Sequence, residues 1–308
     1  MAIKTIKDNK LTWYDITEVN DESIDYLKKS FQFHPLDLKD VRSFSERAKM
    51  DAYKNYLFMI YHYPELNKRK NILMQRELAV FMGDQYLVTV HKTRIKSIKD
   101  DFYKCLNNKK TRKEYFKSNS WYLLYQLLAN FFASVYDIAE HFKKQIQVLE
   151  DEIFRPEKRK PPRELLMDLA ATKRNILKLK GMLTPQRGTL ANLEHSKLDF
   201  LSEDVAIYFD DILDDIEKLL VVLDSYKDSV QGLYESNESM ISLTTNRTIN
   251  ILTSISAALM PLTLLSGIYG MNIVLPFSEQ TEVIWAMYLF LAFAGVIGIF
   301  YLNKRGKL

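Results

Sequence analysis

The sequence NRTINILTSISAALMPLTLLSGIYGMNIVLPFSEQTEVIWAMYLFLAFAGVIGIFYL, residues 246–302, decides the fold of this chain. It contains two apolar runs, 248–277 and 283–302, and neither carries an Asp, Glu, Lys or Arg. About 20 apolar residues are enough for a helix to cross the hydrocarbon core of a bilayer. A buried helix of a soluble domain rarely stays free of charge for so long. The stretch therefore predicts two transmembrane helices rather than a buried soluble hairpin.

The first run differs from the second because small and polar residues recur along it at helical spacing. These positions are Asn246, Asn250, Thr253, Ser256 or Ala257, Met260, Thr263, Gly267 and Gly270. Residues at this spacing share one face of a helix. Hydroxyls and amides are costly in lipid, so this face should meet other helices or water. The periodicity alone leaves two interpretations open: close packing of helices through small residues, or the wall of a pore.

The loop after the first run begins Tyr269-Gly270-Met271-Asn272. Here the chain resembles the CorA-type divalent-cation transporters, whose signature is Gly-Met-Asn directly after the first of two C-terminal membrane helices. The preceding segments Met260-Pro261-Leu262-Thr263 and Ser266-Gly267-Ile268-Tyr269 also match that family. The resemblance extends over nearly the whole chain, because the remaining sequence follows the family's plan as well.

The expected fold class is an α+β membrane protein, in which a cytoplasmic mixed α/β domain and a long helical stalk precede two C-terminal transmembrane helices in a CorA-like funnel. Strand-length apolar segments on either side of Gly83-Asp84-Gln85 predict a β-hairpin in the first part. Proline residues cannot continue a helix, so a kink or break is expected at Pro185. The predicted segments are residues 1–110 for the α/β domain, 111–200 for a helical hairpin, 201–247 for the stalk part of a long helix, 248–270 for the first transmembrane helix, 271–282 for an extracytoplasmic Gly-Met-Asn loop, 283–302 for the second transmembrane helix and 303–308 for a basic tail.

Composition and charge narrow the function classes. The net charge of +4 over 308 residues is mild and does not indicate nucleic acid as a partner. The single cysteine, Cys105, excludes an intrachain disulfide. The five histidines lack the spacing of a zinc site, and we find neither a phosphate-binding glycine loop nor a nucleophile–base arrangement, so we expect no enzyme activity.

The distribution of positive charge predicts the orientation in the membrane. Lys304, Arg305 and Lys307 follow the second run, whereas residues 273–282 contain no Lys or Arg. Loops rich in Lys and Arg remain in the cytoplasm. We therefore expect a multi-pass protein of the cell (inner) membrane with both termini in the cytoplasm and the Gly-Met-Asn loop outside.

The resemblance implies a homopentamer in membrane lipid, with the first transmembrane helix of each subunit lining a pore for divalent cations. Gly270, Met271 and Asn272 would form the selectivity filter at the outer entrance. The matching pore-lining positions are Asn246, Ile249, Leu252, Thr253, Met260 and Thr263. Mg²⁺ demands octahedral oxygen ligands and loses water reluctantly, so a ring of uncharged amides suits the hydrated ion. A carboxylate ring would release the ion more slowly.

The resemblance also implies a regulatory Mg²⁺ site between subunits. Asp211 matches the family's acidic position on the long helix, and Asp40 matches its partner in the segment His34-Pro35-Leu36-Asp37-Leu38-Lys39-Asp40. Lys39 stands where the family often has an acid and should weaken cation binding, and Ala129 makes a second regulatory site doubtful. Glu235, Glu279 and Glu282 are additional possible cation contacts.

The function expected on these grounds is passive uptake of Mg²⁺, with Co²⁺ or Ni²⁺ passing less well, driven by the membrane potential and gated by intracellular Mg²⁺. One alternative is a transporter of Zn²⁺ or another transition metal in the same superfamily. A second alternative is a membrane-anchored binding protein that conducts no ions.

Overall fold

The computed structural model of the chain forms two compact units, residues 1–233 and 234–308. The first unit is a β-sheet covered by helices, and the second contains the apolar C-terminal helices. The structure describes residues 3–45, 47–155, 160–193, 205–273, 275–276 and 280–304.

A six-stranded mixed sheet forms the centre of the first unit. Its strands are β1 Ile3–Asp8, β2 Leu11–Ile16, β3 Lys49–Ala52, β4 Tyr56–Asn67, β5 Ile72–Gly83 and β6 Tyr86–Val90. They lie in the order β1-β2-β6-β5-β4-β3, and only the β2–β6 pair is parallel. Gly83 pairs directly with Tyr86, which confirms the predicted hairpin. A Cβ atom at residue 83 would lie 2.4 Å from the Tyr86 ring, so a larger residue here would have to displace that ring.

Two short helices cover one face of the sheet. They are α1 Asp21–Phe31 and α2 Pro35–Arg42. Pro35 suits the first turn of α2, where its missing N–H costs nothing, and the His34 side chain caps this turn by accepting a hydrogen bond from the backbone N–H of Leu36. Leu38 of α2 belongs to the same buried cluster as Phe58 and Phe81 of the sheet. This packing places α2 and its carboxylates over the β3–β4 edge of the sheet.

The opposite face of the sheet is covered by a larger group of helices. They are α3 Lys96–Asn107, α4 Lys109–Tyr115, α5 Ser120–Phe154 and α6 Pro162–Ala191. The helical hairpin expected over residues 111–200 consists of α5 and α6, and the separate helix α4 precedes it. Of the two outcomes expected at Pro185, a kink or a break, the break is absent, since α6 continues through this residue. The buried Gln186 side chain donates to the carbonyls of Met182 and His62, which ties this part of α6 to β4.

The long helix α7 comprises 65 residues, Val205–Tyr269, and α8 comprises Thr281–Lys304. The start of α7 expected near Ser202 lies outside the described residues. Both helices contain segments long and apolar enough to cross a membrane, and almost none of these segments is buried within the chain. Apolar surface that the chain does not cover itself is typical of contact with lipid or with other subunits.

Candidate ion pathway and regulatory carboxylates

Small residues hold α7 and α8 together within the second unit. A Cβ atom added to Gly295 of α8 would lie 3.2 Å from the Cβ of Ala258 and 3.4 Å from its carbonyl oxygen. Closer to the loop, the hydroxyls of Ser266 and Tyr288 lie 2.7 Å apart. A groove of about 310 Å³ continues along the contact and is lined by Ser254, Ala257, Ala258, Pro261, Leu291, Ala294, Gly295, Gly298 and Ile299. The face of α7 that contains Ala258 therefore meets α8 of the same chain.

Most of the polar stripe of α7 lies on the opposite side of the helix, whereas Asn250, eight residues before Ala258, lies only about 80° from it. Ile249 precedes Ala258 by nine residues, which at about 100° per residue is half a turn away. The predicted pore-lining residues Asn246, Ile249, Leu252, Thr253, Met260 and Thr263 all lie within about 60° of that direction. All of them are exposed in the single chain. Ala257 lines the groove with α8. The sequence pattern left Ser256 and Ala257 as alternatives for the stripe, and the stripe member is therefore Ser256.

The Gly-Met-Asn segment begins where α7 ends. The backbone N–H of Gly270 donates to the Ser266 carbonyl at 2.9 Å, and that of Met271 donates to the Ile268 carbonyl at 3.2 Å. A Cβ atom at residue 270 would lie only 3.0 Å from the Ser266 carbonyl oxygen, which explains the glycine. Asn272 follows directly and is exposed. The helix end thus places Asn272 beyond the last turn of α7.

The acidic residues expected near the pathway lie at different places. Glu235 is exposed on α7, and Glu282 is exposed in the first turn of α8. Glu279 lies outside the described residues. Within the described part of the chain, no group of three or more His, Cys, Asp or Glu side chains is placed to hold a metal ion.

Asp40, the first predicted regulatory carboxylate, forms an ion pair with Lys49 at the start of β3. The same ammonium contacts Asp51 at 2.7 Å. Burial acts to lower the pKa of Lys49, but hydrogen bonds from its ammonium to Asp40 and Asp51 outweigh burial, so the pKa lies above its ordinary value. Lys49 is therefore a firmly charged partner of Asp40, and the sequence analysis missed it. Alternating Lys49 and Asp51 on one face of a short strand was the available clue.

Asp37 belongs to the same turn of α2 but has a structural role. It is fully buried and accepts hydrogen bonds from the hydroxyls of Tyr53 at 2.9 Å and Tyr56 at 2.8 Å. Burial raises its pKa, and the two tyrosine hydrogen bonds oppose that rise. Asp37 therefore anchors α2 to the sheet and leaves Asp40, three residues later, at the surface.

Asp211, the second predicted regulatory carboxylate, is exposed on α7. Two acidic residues of the same helix are engaged within the chain: Asp215 contacts Lys218 at 3.4 Å, and Glu217 accepts hydrogen bonds from Arg187. Among the described residues, no ion pair or hydrogen bond involves the Asp211 carboxylate or joins it to Asp40. Asp211 is thus available to a ligand or partner from outside the chain.

The comparison with known proteins identifies the family. A model of the "CorA-like Mg2+ transporter protein" family matches residues 8–305. The chain belongs to this family. It is 26% identical over 298 residues to the cobalt/magnesium transport protein CorA of Thermotoga maritima, covering 96% of this chain and 82% of the relative. It is 27% identical over 292 residues to a putative metal ion transporter of Bacillus subtilis, covering 92% of this chain and 85% of the relative.

A solved CorA structure has the same fold. The complete structure of the CorA magnesium transporter from Methanocaldococcus jannaschii superposes with a TM-score of 0.80 at 20% identity, covering 96% of this chain and 91% of that one. The predicted fold class is thereby confirmed: an α/β domain, a long helix and two apolar C-terminal helices. The CorA-like family is a family of transporters, and the two apolar helices identify this member as a membrane protein.

Proposed function

We propose that this CorA-like protein is a homopentameric channel through which Mg²⁺, and less readily Co²⁺ or Ni²⁺, enters the cell. The observation that carries this proposal is the direction of the polar stripe on α7, which lies half a turn from the contact with α8. The relatives from Thermotoga maritima and Methanocaldococcus jannaschii are cobalt/magnesium transport proteins, which supports the choice of ion.

The stripe needs a partner that the chain itself does not provide. Hydroxyl and amide groups such as those of Thr263 and Asn246 are costly when they face lipid. Since α8 of the same chain contacts the other side of α7, the remaining partners are water and the helices of other copies. Copies arranged around a closed rotation axis give each stripe the same wet environment. The number five rests on the family resemblance.

The filter chemistry suits a hydrated cation. A ring of Asn272 side chains would accept hydrogen bonds from water bound to Mg²⁺ without removing that water. Apolar side chains at Ile249, Leu252 and Met260 would form a constriction that closes by losing its water. Inward flow needs no ATP, because a divalent cation gains about 4.6 kcal/mol in crossing a potential of 100 mV.

Regulation would use Asp40 of one subunit and Asp211 of the next. Carboxylate oxygens are suitable ligands for Mg²⁺, and both side chains reach the surface. Loss of the ion would leave like charges close together and loosen the assembly. Glu235 and Glu282 would supply additional negative charge, Glu235 along the stalk and Glu282 at the outer loop.

The proposed orientation is supported by the charges at the two ends of α8. Lys304 ends this helix and Glu282 lies in its first turn. Together with the basic tail, this polarity supports a proposed topology with both termini in the cytoplasm and the Gly-Met-Asn loop outside the cell (inner) membrane.

The decisive experiment is divalent-cation flux into liposomes that contain the full chain. We expect Mg²⁺ flux that depends on the membrane potential and falls at least tenfold in Asn272→Ala, whereas Gln280→Ala, a control in the same loop, retains it. Uptake of Zn²⁺ driven by a proton gradient, without Mg²⁺ uptake, would select the transition-metal alternative. Absence of any divalent flux, with Asn272→Ala indistinguishable from the parent, would select the non-conducting anchor.

A further inference from the structure

Lys49 forms an ion pair with Asp40, the carboxylate that the proposed regulatory ion needs. Its ammonium pairs with Asp40 of α2 and lies 2.7 Å from Asp51 of β3. The nitrogen also lies 5.0 Å from the centre of the Phe58 ring, on the strand next to β3. About one third of each side chain, 31% for Lys49 and 34% for Asp40, is exposed, so the pair is partly screened and open to ions from solution.

The position of Lys49 is fixed by the fold. Lys49 and Asp51 are two residues apart on the edge strand β3 and therefore point to the same face of the sheet. This is the face covered by α2, which carries Asp40. Lys39 is adjacent to Asp40 in sequence, yet within the described structure it forms no ion pair. The contact to Asp40 thus depends on the fold and not on the nearest lysine in the sequence.

We infer that Lys49 is a tethered cation that competes with Mg²⁺ for the Asp40 carboxylate and thereby sets the internal Mg²⁺ concentration at which the channel closes. This inference rests on the proposed regulatory pair of Asp40 and Asp211. A carboxylate held by an ammonium binds a second cation less well, because the ammonium must first move away or repel the incoming charge.

Asp51 determines how easily Lys49 leaves Asp40. The ammonium keeps one carboxylate partner at Asp51 when Mg²⁺ takes Asp40, so its release does not leave a partly buried charge unpaired. Removal of Lys49 and removal of Asp51 should therefore act in opposite directions. Without Lys49, Asp40 is free and Mg²⁺ binds more tightly. Without Asp51, the ammonium depends on Asp40 alone, and Mg²⁺ binds more weakly.

The test measures how Mg²⁺ protects the full chain, purified in detergent, against limited proteolysis. The readout is the Mg²⁺ concentration that gives half-maximal protection. We expect Lys49→Met to lower it two- to fivefold, which is about the worth of a partly exposed ion pair. Asp51→Asn should raise it. Lys39→Met removes the same charge one residue from Asp40 and is the matched control, with a smaller shift than Lys49→Met.

Several outcomes would overturn the inference. Lys49→Met with an unchanged half-maximal concentration, or a shift in Lys39→Met as large as that in Lys49→Met, would show that the contact with Asp40 is not what matters. If Lys49→Met does not fold, a half-maximal concentration in Asp51→Asn at or below that of the parent overturns the inference. Protection by Mg²⁺ that persists unchanged in Asp40→Asn would instead refute the regulatory pair itself, and the inference with it.

Discussion

The packing of α7 against α8 can be tested with two glycines of α8. A Cβ atom at Gly295 meets Ala258 at 3.2 Å, whereas a Cβ atom at Gly298, one turn further along the same groove, meets nothing within 4 Å. The perturbations are Gly295→Ala and Gly298→Ala. Since the direction of the polar stripe is defined relative to this contact, the pair of variants also tests the basis of the proposed pathway.

The expected magnitudes follow from two opposing effects. Replacing a helical glycine by alanine stabilises a helix by about 0.5–1 kcal/mol. At Gly298 nothing opposes this gain, and the variant should be more stable than the parent. At Gly295 the added methyl group must push the helices apart or displace the Ala258 backbone. Such overpacking costs about 1–3 kcal/mol, so the net effect at this site should be a loss of about 0–2.5 kcal/mol.

The assay is the apparent melting temperature of the full chain in one detergent, followed by flux in liposomes. Gly298→Ala should melt above the parent, and Gly295→Ala at or below it. A Gly295→Ala protein as stable as Gly298→Ala would show that α8 does not approach Ala258 this closely. The inference that the stripe faces away from α8 would then fail as well.

Three further predictions concern the pathway and the soluble unit. Leu252→Asn should raise Mg²⁺ flux several-fold, because a polar side chain keeps an apolar constriction wet. Thr89→Val should lower the free energy of unfolding in denaturant by about 1–3 kcal/mol, because it leaves the buried Trp13 indole N–H without its acceptor. Asp101→Asn should flatten the dependence of stability on pH. Burial raises the pKa of Asp101 in the folded state, despite hydrogen bonds from Asn130 and Tyr115. The folded state thus holds the proton more tightly, and the parent should lose stability as the pH rises from the ordinary value of 3.8 towards the raised pKa, by at most about 1.4 kcal/mol per pH unit.

Leu289→Asn places the same amide on an exposed position of α8, and an equal rise in flux there would argue against a constriction at Leu252. Thr5→Val changes an exposed strand residue and should leave stability within about 0.5 kcal/mol, so an equal loss in both threonine variants would count against the buried network. An unchanged pH profile in Asp101→Asn would show that the Asp101 carboxyl does not titrate differently in the two states.

The membrane segments and the α/β class could be predicted from the sequence because they depend on composition and on the spacing at which apolar residues recur. A charge-free run such as residues 283–302 is rarely found in a soluble fold. A hairpin turn with Gly83 is marked by the turn residues and the strand-length apolar segments on either side of it. The continuation of α6 through Pro185 could not be predicted in this way. It depends on packing between elements distant in sequence, such as the contact of Gln186 with the His62 carbonyl.

The candidate site also has parts that the sequence could predict and parts that depend on contacts between distant elements. Resemblance identified Asp40, Asp211 and the Gly-Met-Asn segment, whose roles stay predictions, and the period of α7 identified the stripe. Which side of α7 meets α8 required the contact between Ala258 and Gly295. The pairing of Lys49 with Asp40 joins an edge strand to a helix across the sheet surface. The alternation of Lys49 and Asp51 marks one face of the strand but does not show that Asp40 lies opposite it.

Three hydroxyl groups on the striped side of α7 donate their protons to carbonyls of the same helix. Ser256 donates its proton to the Leu252 carbonyl at 2.9 Å, and Thr263 donates to the Leu259 carbonyl at 3.1 Å. Thr245, on the same side of the helix, donates to the Ile241 carbonyl at 2.9 Å. On their outward side, these oxygens can therefore accept hydrogen bonds but have no proton left to donate. If the stripe lines the proposed pore, these three oxygens would accept hydrogen bonds from the water around a cation and would have no proton to donate to an anion.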